Sequence, residues 1–378
     1  MERPIAVERF RQFAARPPLD IFEGALVIAG LVDPSEDVAQ ARATLDLLSA
    51  RVNEGVRSGE PPLDALRRVL FDEEGFSGDT ISYDDPANSS VAHVLATRRG
   101  MPITLSIITV EIGRRAGLDL AGVGLPGHFV VGGPDVPPGL YVDPFESGQL
   151  CDARSLTERV STILGTPIEL PPEAFAPDSA RSILTRVLWN LRRSYERRDR
   201  LEEALAALDC AAELDPQENA FRRERGLLLL KAGRTAEAID ELRVYAAAAS
   251  DEDSEPVKKL LEVIEEGVAA GDVDVVAPRK RTFTLDEARR LLPQVQEITA
   301  QAVGLYGKLG AGDDAEEQRQ DIVRQWVGQI ASLGCEIKGL WLVDFDSGAG
   351  YYCWKYPESV LEYFHGYEEG FAGRLPLQ

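Results

Sequence analysis

Apolar positions recur at helical spacing through the first part of the chain. Leu26, Ile28 and Leu31 fall on one predicted helix, Ala43, Leu45, Leu47 and Leu48 on the next, and Leu63, Leu66, Val69 and Leu70 on a third. From 81 to about 170 the pattern changes. One helix is predicted from Pro102, whose missing N–H costs nothing in a first turn, to about Ala116, with Gly117 as its stop. The runs AGVGL, HFVVG and LYVDPF then alternate with turn residues, as strands of an antiparallel sheet do.

From 178 to about 268 the chain is helical again and matches itself at 34 positions: Ala204 with Ala238, Leu208 with Leu242, Ala212 with Ala246. Small residues at that period are the tetratricopeptide signature, because Ala lets paired helices approach closely. Asp215-Pro216 ends the first unit, and about two repeats are visible, so the pair is expected to pack on the preceding domain. A linker is predicted at 271–281. Beyond it, Thr284 and Glu287 match a capping box before ARRLLPQVQEI, and a second helix is predicted from Ala315 to Leu333, ending at Gly334. Two β runs follow, GLWLVDF and YYCWKY, joined by DSGAG, and then an aromatic, Gly-rich tail.

Composition narrows the function classes. The chain has 378 residues, enough for two or three domains, and a net charge of −22, which repels phosphate backbones and anionic lipid. No nucleic-acid or membrane partner is therefore expected. The four cysteines, Cys151, Cys210, Cys335 and Cys353, lie far apart without a C-x-x-C pair, which fits a reducing compartment. The start, MERPIAVERF, has no apolar core of a leader, and the apolar run Gly24 to Val32 is too short to span a bilayer. A cytoplasmic location is expected.

Several motifs in order carry a family resemblance: YDDPANS (Tyr83 to Ser89), RRGMPITLS (Arg98 to Ser106), LPGHF (Leu125 to Phe129), VDPF (Val142 to Phe145) and LTRVLWNLRRSY (Leu184 to Tyr195). Residues 1–268 resemble the SirB-type transglutaminase-like family, in which a degenerate transglutaminase core precedes tetratricopeptide helices. In active cores of the transglutaminase and papain-like fold, a nucleophilic Cys opens the helix and His and Asp sit on successive strands. A second Gly there follows the first by 17 positions; Gly100 and Gly117 keep that spacing, which puts Pro102 at the Cys position. FTLDEARRLLP, LGCEIKGLWLVDF, YYCWK and FHGYEEGFAGR make residues 282–378 similar to a second bacterial family whose function is not established.

The candidate chemistry centres on His128 and Asp143. In the active fold the His takes the thiol proton and the Asp orients the imidazole. Proline offers no side-chain nucleophile. Ser106 lies roughly 6 Å deeper along the helix axis, and Thr104 is rotated about 200° from Pro102. The candidate cleft comprises Tyr83, Asn88, Pro102, Thr104, His128 and Asp143, the first two because the resemblance places their motif just before the helix; their bland role is capping or turn formation. GVGLPGHFVVGGP lacks the Lys-Ser/Thr and the glycine order of a phosphate loop. Cys353, Glu362 and His365 form a weak alternative metal set, sharing a face if that segment is helical. Trp341, Trp354, Tyr363, Phe364 and Phe371 are read as core.

The expected architecture is α+β, in three parts. Residues 1–175 form a helical N-terminal region plus a transglutaminase/papain-like core, 178–268 a tetratricopeptide-like helical segment, and 282–378 a small αα-β-hairpin module. The expected function is a non-catalytic protein- or peptide-binding or regulatory module acting through cleft and repeat helices, with no cofactor and no resident metal. The alternative is a hydrolase or amide-transfer enzyme using His128 and Asp143 with water or Ser106.

Overall fold

A computed structural model describes residues 3–270, 281–309, 313–366 and 374–377. Phe371 and most of the predicted linker lie outside them. The chain divides into two units, residues 1–160 with 169–216 and residues 161–168 with 217–378, and each is taken by itself.

The first unit begins with α1 (Arg3–Ala14), α2 (Ile21–Val32), α3 (Val38–Arg57) and α4 (Pro62–Arg67), the last running into a π-helical turn at Arg68–Glu73. Asp20 and Asp37 cap α2 and α3 by accepting the amides of Glu23 and Gln40, which satisfies orphan N–H groups of each first turn. The apolar faces read from the sequence are the buried ones: Ile28, Leu45 and Leu66 are fully enclosed. Leu47, by contrast, points to solvent.

The middle of this unit holds two short parallel strands, β1 (Ser77–Gly78) and β2 (Arg99–Gly100), with α5 (Val91–Thr97) and α6 (Pro102–Arg115). Gly117 stops α6 at φ +83°, a left-handed conformation that glycine adopts without strain. A four-stranded antiparallel sheet follows in sequence order: β3 (Ala121–Leu125), β4 (His128–Gly132), β5 (Leu140–Asp143) and β6 (Gln149–Asp152). The sequence reading of a single helix between 81 and 170 is corrected by α5 and by α7 (Ala153–Leu164). Leu156, Val160 and Leu164, all fully buried, are the four-residue spacing that marks α7.

α8 (Ala180–Arg197) and α9 (Leu201–Leu214) complete the unit. They pack on each other and on α2 and α1, so this helix pair covers its open faces with the N-terminal helices. α8 also lies on the sheet face bearing Phe129, where Arg186 sits over the ring at 5.5 Å.

The second unit starts with α10 (Ala220–Lys231), α11 (Thr235–Ala248) and α12 (Asp251–Ala270). Leu242, Tyr245 and Ala246 form a core with Val257, Leu261 and Ile264. Gly226 lets α10 approach α11 closely: an added Cβ would stand 2.5 Å from Leu242. α13 (Leu285–Tyr306) carries the predicted capping box at Thr284 and Glu287, and α14 (Asp313–Ser332) matches its predicted span within two residues. The β portion exceeds the expected hairpin. β7 (Glu336–Gly339), β8 (Leu342–Asp346), β9 (Tyr351–Lys355), β10 (Tyr363–His365) and β11 (Leu375–Pro376) form one antiparallel sheet of five strands. Trp341 at φ +60° breaks GLWLVDF into two strands. Trp354 and Phe364 are core residues, as read from the sequence, while Trp341 and Tyr363 are half-buried.

Candidate functional site

The candidate site is built where α6 packs on β3 and β4. Pro126 and Gly127 turn the chain between β3 and β4, with Gly127 at φ +67°, and the register Leu125↔His128 makes His128 the first residue of its strand. Asp143 ends β5. Its Oδ1 accepts the amides of Phe145 (3.1 Å) and Glu146 (3.3 Å), an Asx turn that fixes the carboxylate, and its Oδ2 lies 2.8 Å from His128 Nε2. Both side chains are buried, at 3 % and 0 % exposure. Arg159 on α7 stands 3.7 Å from the same Oδ2, and Arg186 on α8 donates to the His128 carbonyl at 2.9 Å. Carboxylate, imidazole and backbone are thus held from three elements.

Asp143 occupies Nε2, which leaves Nδ1 as the nitrogen open to a second partner. Among the described residues no nucleophile is bonded there. Pro102 sits at the start of α6, and the hydroxyls of Thr104 and Ser106 are buried without a hydrogen-bond partner. A hydroxyl left dry and unpaired costs about 1–3 kcal/mol, so these two are packed for their shape rather than engaged with the imidazole.

The outer edge of the site is aromatic. His128 meets Phe145 edge-on at 6.1 Å, and Phe145 meets Tyr83 edge-on at 5.9 Å. Gly78 makes room for Phe145, whose ring would stand 2.4 Å from an added Cβ. Asn88 does not line this edge. Its amide donates to Ser82 O (2.7 Å), Tyr83 O (3.3 Å) and Asp79 Oδ2 (3.2 Å), which staples the loop that carries Tyr83. Asp79 Oδ1 accepts from the amides of Ser82 and Ile81. These bonds, that from Ser82 above all, hold the Asp79 carboxyl below its usual range. The loop so built presents Ile81 at 96 % exposure, with Tyr83 partly exposed beside it.

Of the six cleft residues, then, His128 and Asp143 are bonded, Tyr83 joins them through Phe145, and Asn88 serves the loop. Pro102 and Thr104 belong to the buried start of α6. Asp79, Phe145, Arg159 and Arg186 were not assigned from the sequence. Asp143-Pro144-Phe145 carried a signal, since Asp before a turn accepts amides two and three residues on. The Arg residues carried none, because their reach depends on tertiary packing.

The first site offers two metal ligands. In the second unit the segment around Glu362 and His365 is extended, not helical, and Glu362 is exposed, so the expected face of Cys353, Glu362 and His365 is not formed. The close set of three among the described residues is Asp344, Cys353 and His365.

A buried His–Asp pair on antiparallel strands behind a Pro-started helix, followed by paired helices, defines a transglutaminase-like protein with tetratricopeptide helices. The transglutaminase-like superfamily profile matches residues 39–189 and a tetratricopeptide repeat profile matches 191–262, while 307–377 match the uncharacterized conserved protein family DUF2203. The chain belongs to the UPF0162 family. It is 31 % identical over 200 residues to a UPF0162 protein of Pseudomonas aeruginosa, covering 51 % of this chain and 70 % of that protein. It is 39 % identical over 186 residues to a UPF0162 protein of Xylella fastidiosa, covering 48 % of this chain and 66 %, just under two thirds, of that relative. A shorter match, 32 % over 95 residues, reaches F-box only protein 21 of Homo sapiens, with 23 % of this chain and 15 % of that protein covered. No solved structure matches. No helix among the described residues is long and apolar enough to cross a membrane.

Proposed function

We propose that this protein is a non-catalytic interaction module of the cytoplasm that binds an extended peptide segment of a protein partner at the rim of its transglutaminase-like core. The observation that carries the reading is the pre-built loop beside the His–Asp pair. Asp79 and Asn88 spend their hydrogen bonds on loop geometry, and the loop offers Ile81 and Tyr83 outward. A large apolar side chain at 96 % exposure on a rigid loop loses little entropy on binding, which suits a recognition element. The preferred segment therefore carries an apolar residue for Ile81 and Tyr83. The tetratricopeptide helices extend the surface, since stacked helix pairs suit protein partners in general. Four buried free thiols fit the reducing compartment.

Against the amide-transfer alternative stand Pro102 at the nucleophile position and the unengaged hydroxyl of Ser106. The test is selection from a displayed peptide library on the intact chain, on Ile81→Ser and on Tyr83→Ala. Enrichment of peptides with an apolar anchor on the intact chain, lost on both variants, is the expected result. Equal enrichment on all three would falsify the rim as the binding site. Amine incorporation or amide hydrolysis by the intact chain, abolished in a folded His128→Ala variant, would restore the enzyme reading.

A further inference from the structure

The second unit contains a His–Asp pair of its own, and a thiol lies beside it. β8 carries Asp344, β9 carries Cys353 and β10 carries His365, on three neighbouring strands of the five-stranded sheet. Asp344 is directly opposite Cys353, and Cys353 is opposite Tyr363, two residues from His365, so the alternation of a strand puts all three side chains on one face. They are buried at 0 %, 0 % and 4 % exposure, and one ligand atom from each lies within 4.8 Å of the others.

The hydrogen bonding of His365 identifies what the cluster lacks. Nδ1 lies 2.8 Å from the carbonyl of Gly366 and Nε2 lies 3.2 Å from Asp344 Oδ2. Both partners are acceptors, and a neutral imidazole has one N–H. Neither can donate, so one ring nitrogen must turn its lone pair to an acceptor; with the proton on Nδ1, the Nε2 lone pair faces a carboxylate. Only a positive charge between Nε2 and the carboxylate, a second proton or a cation, reconciles them. An imidazole held by Nδ1–H···O=C with Nε2 turned to an anionic partner is the outer-shell arrangement of a metal-bound histidine. Asp344 adds an independent sign, because its Oδ1 is fully buried with no hydrogen-bond partner.

We propose that Asp344, Cys353 and His365 bind a divalent transition-metal ion, zinc in the first instance, through carboxylate oxygen, thiolate sulfur and Nε2. A mixed O, S, N set excludes magnesium and calcium, which take oxygen, and suits the borderline-soft zinc ion. Charge also closes: carboxylate and thiolate offset the two charges of the ion. The neighbouring cation Lys338 is already paired with Glu336 at 2.9 Å. A Cys–His–Asp nucleophile is the rival use of these residues. Cys353 is fully buried, which closes its thiol to a substrate.

The test uses the intact chain purified without added metal. Elemental analysis by mass spectrometry is expected to find about one zinc per chain. After stripping with a chelator, titration with Co²⁺ as a spectroscopic probe gives a sulfur-to-cobalt charge-transfer band that Cys353→Ser lacks. His365→Ala weakens Zn²⁺ affinity by more than the roughly 10- to 100-fold that losing an outer-shell partner costs. Asp344→Asn, which keeps the side-chain shape, also weakens it and covers the case in which His365→Ala does not fold. Cys335→Ser, outside the set, leaves uptake unchanged. A folded intact chain that takes up neither Zn²⁺ nor Co²⁺ overturns the site, and so does uptake that persists undiminished in both Cys353→Ser and Asp344→Asn.

Discussion

The two units each bury a histidine against an aspartate on an antiparallel sheet, on adjacent strands in the first and across one intervening strand in the second, and the pairs differ in what surrounds them. His128 meets Asp143 at 2.8 Å, with the other carboxylate oxygen taken by the amides of Phe145 and Glu146. Its carboxylate is fully occupied, and the imidazole keeps Nδ1 open. His365 meets Asp344 at 3.2 Å, its second nitrogen faces a carbonyl, and the other carboxylate oxygen is unpartnered. That pair is incomplete, and a thiol stands next to it. Where the fold suggests catalysis, both carboxylate oxygens are occupied; where only a weak alternative metal set was expected, one is left unpartnered. Satisfaction of hydrogen bonds, more than residue type, separates scaffold from site.

The largest effect that tests this contrast comes from deleting the completed pair. Asp143→Ala strands the buried imidazole together with the amides of Phe145 and Glu146 and is expected to cost about 3–5 kcal/mol in urea unfolding of the first unit. Asp143→Asn keeps an acceptor for the amides and is expected to cost about 1–2 kcal/mol. Equal losses from the two variants would mean that the amide cluster contributes nothing and the pair is less complete than its geometry.

Next in size is the response to metal. Zinc at about a hundred times its dissociation constant adds about 2.7 kcal/mol to whichever state binds it. The expected outcome is a rise in the unfolding transition of the second unit alone, abolished in Cys353→Ser. A matching rise in the first unit would erase the distinction between the pairs.

How far these sites were legible in the sequence follows the range of the interactions involved. The start and stop of α6, the capping box of α13 and the buried alanines Ala204 and Ala238 were readable, because Pro, Gly, Thr–Glu and Ala act within a few residues. His128 and Asp143 were readable through their motifs. The Asp344–Cys353–His365 set was not, since its members meet only through a three-strand register. The spacing of Glu362 and His365 suited a helix face equally well; the aromatic pair Tyr363 and Phe364, favourable in strands, was the overlooked cue. Arg159 reaches Asp143 from α7, whose apolar spacing at Leu156, Val160 and Leu164 was present but passed over.

A smaller effect is expected at the loop that caps the first pair. Asn88→Ala removes the donor shared by Ser82 O, Tyr83 O and Asp79, at about 1–3 kcal/mol, and limited proteolysis should then cut between residues 79 and 85 while the sheet stays intact. An uncut loop would show that Asn88 is not what holds Tyr83 in place.

The smallest effect is a pH dependence confined to that loop. The Asp79 carboxyl is held below its usual range, chiefly by the Ser82 amide, so its ionised form is favoured in the folded loop. The stabilisation is therefore fully present above the ordinary carboxylate range, near pH 4, and fades as the pH falls through the lower folded value. Tyr83 fluorescence in a variant stripped of competing tryptophans should report loop release on acidification before the sheet unfolds. Asp79→Asn keeps the shape, removes the titrating group and should flatten that early change. A persistent change in Asp79→Asn would assign the titration to another group.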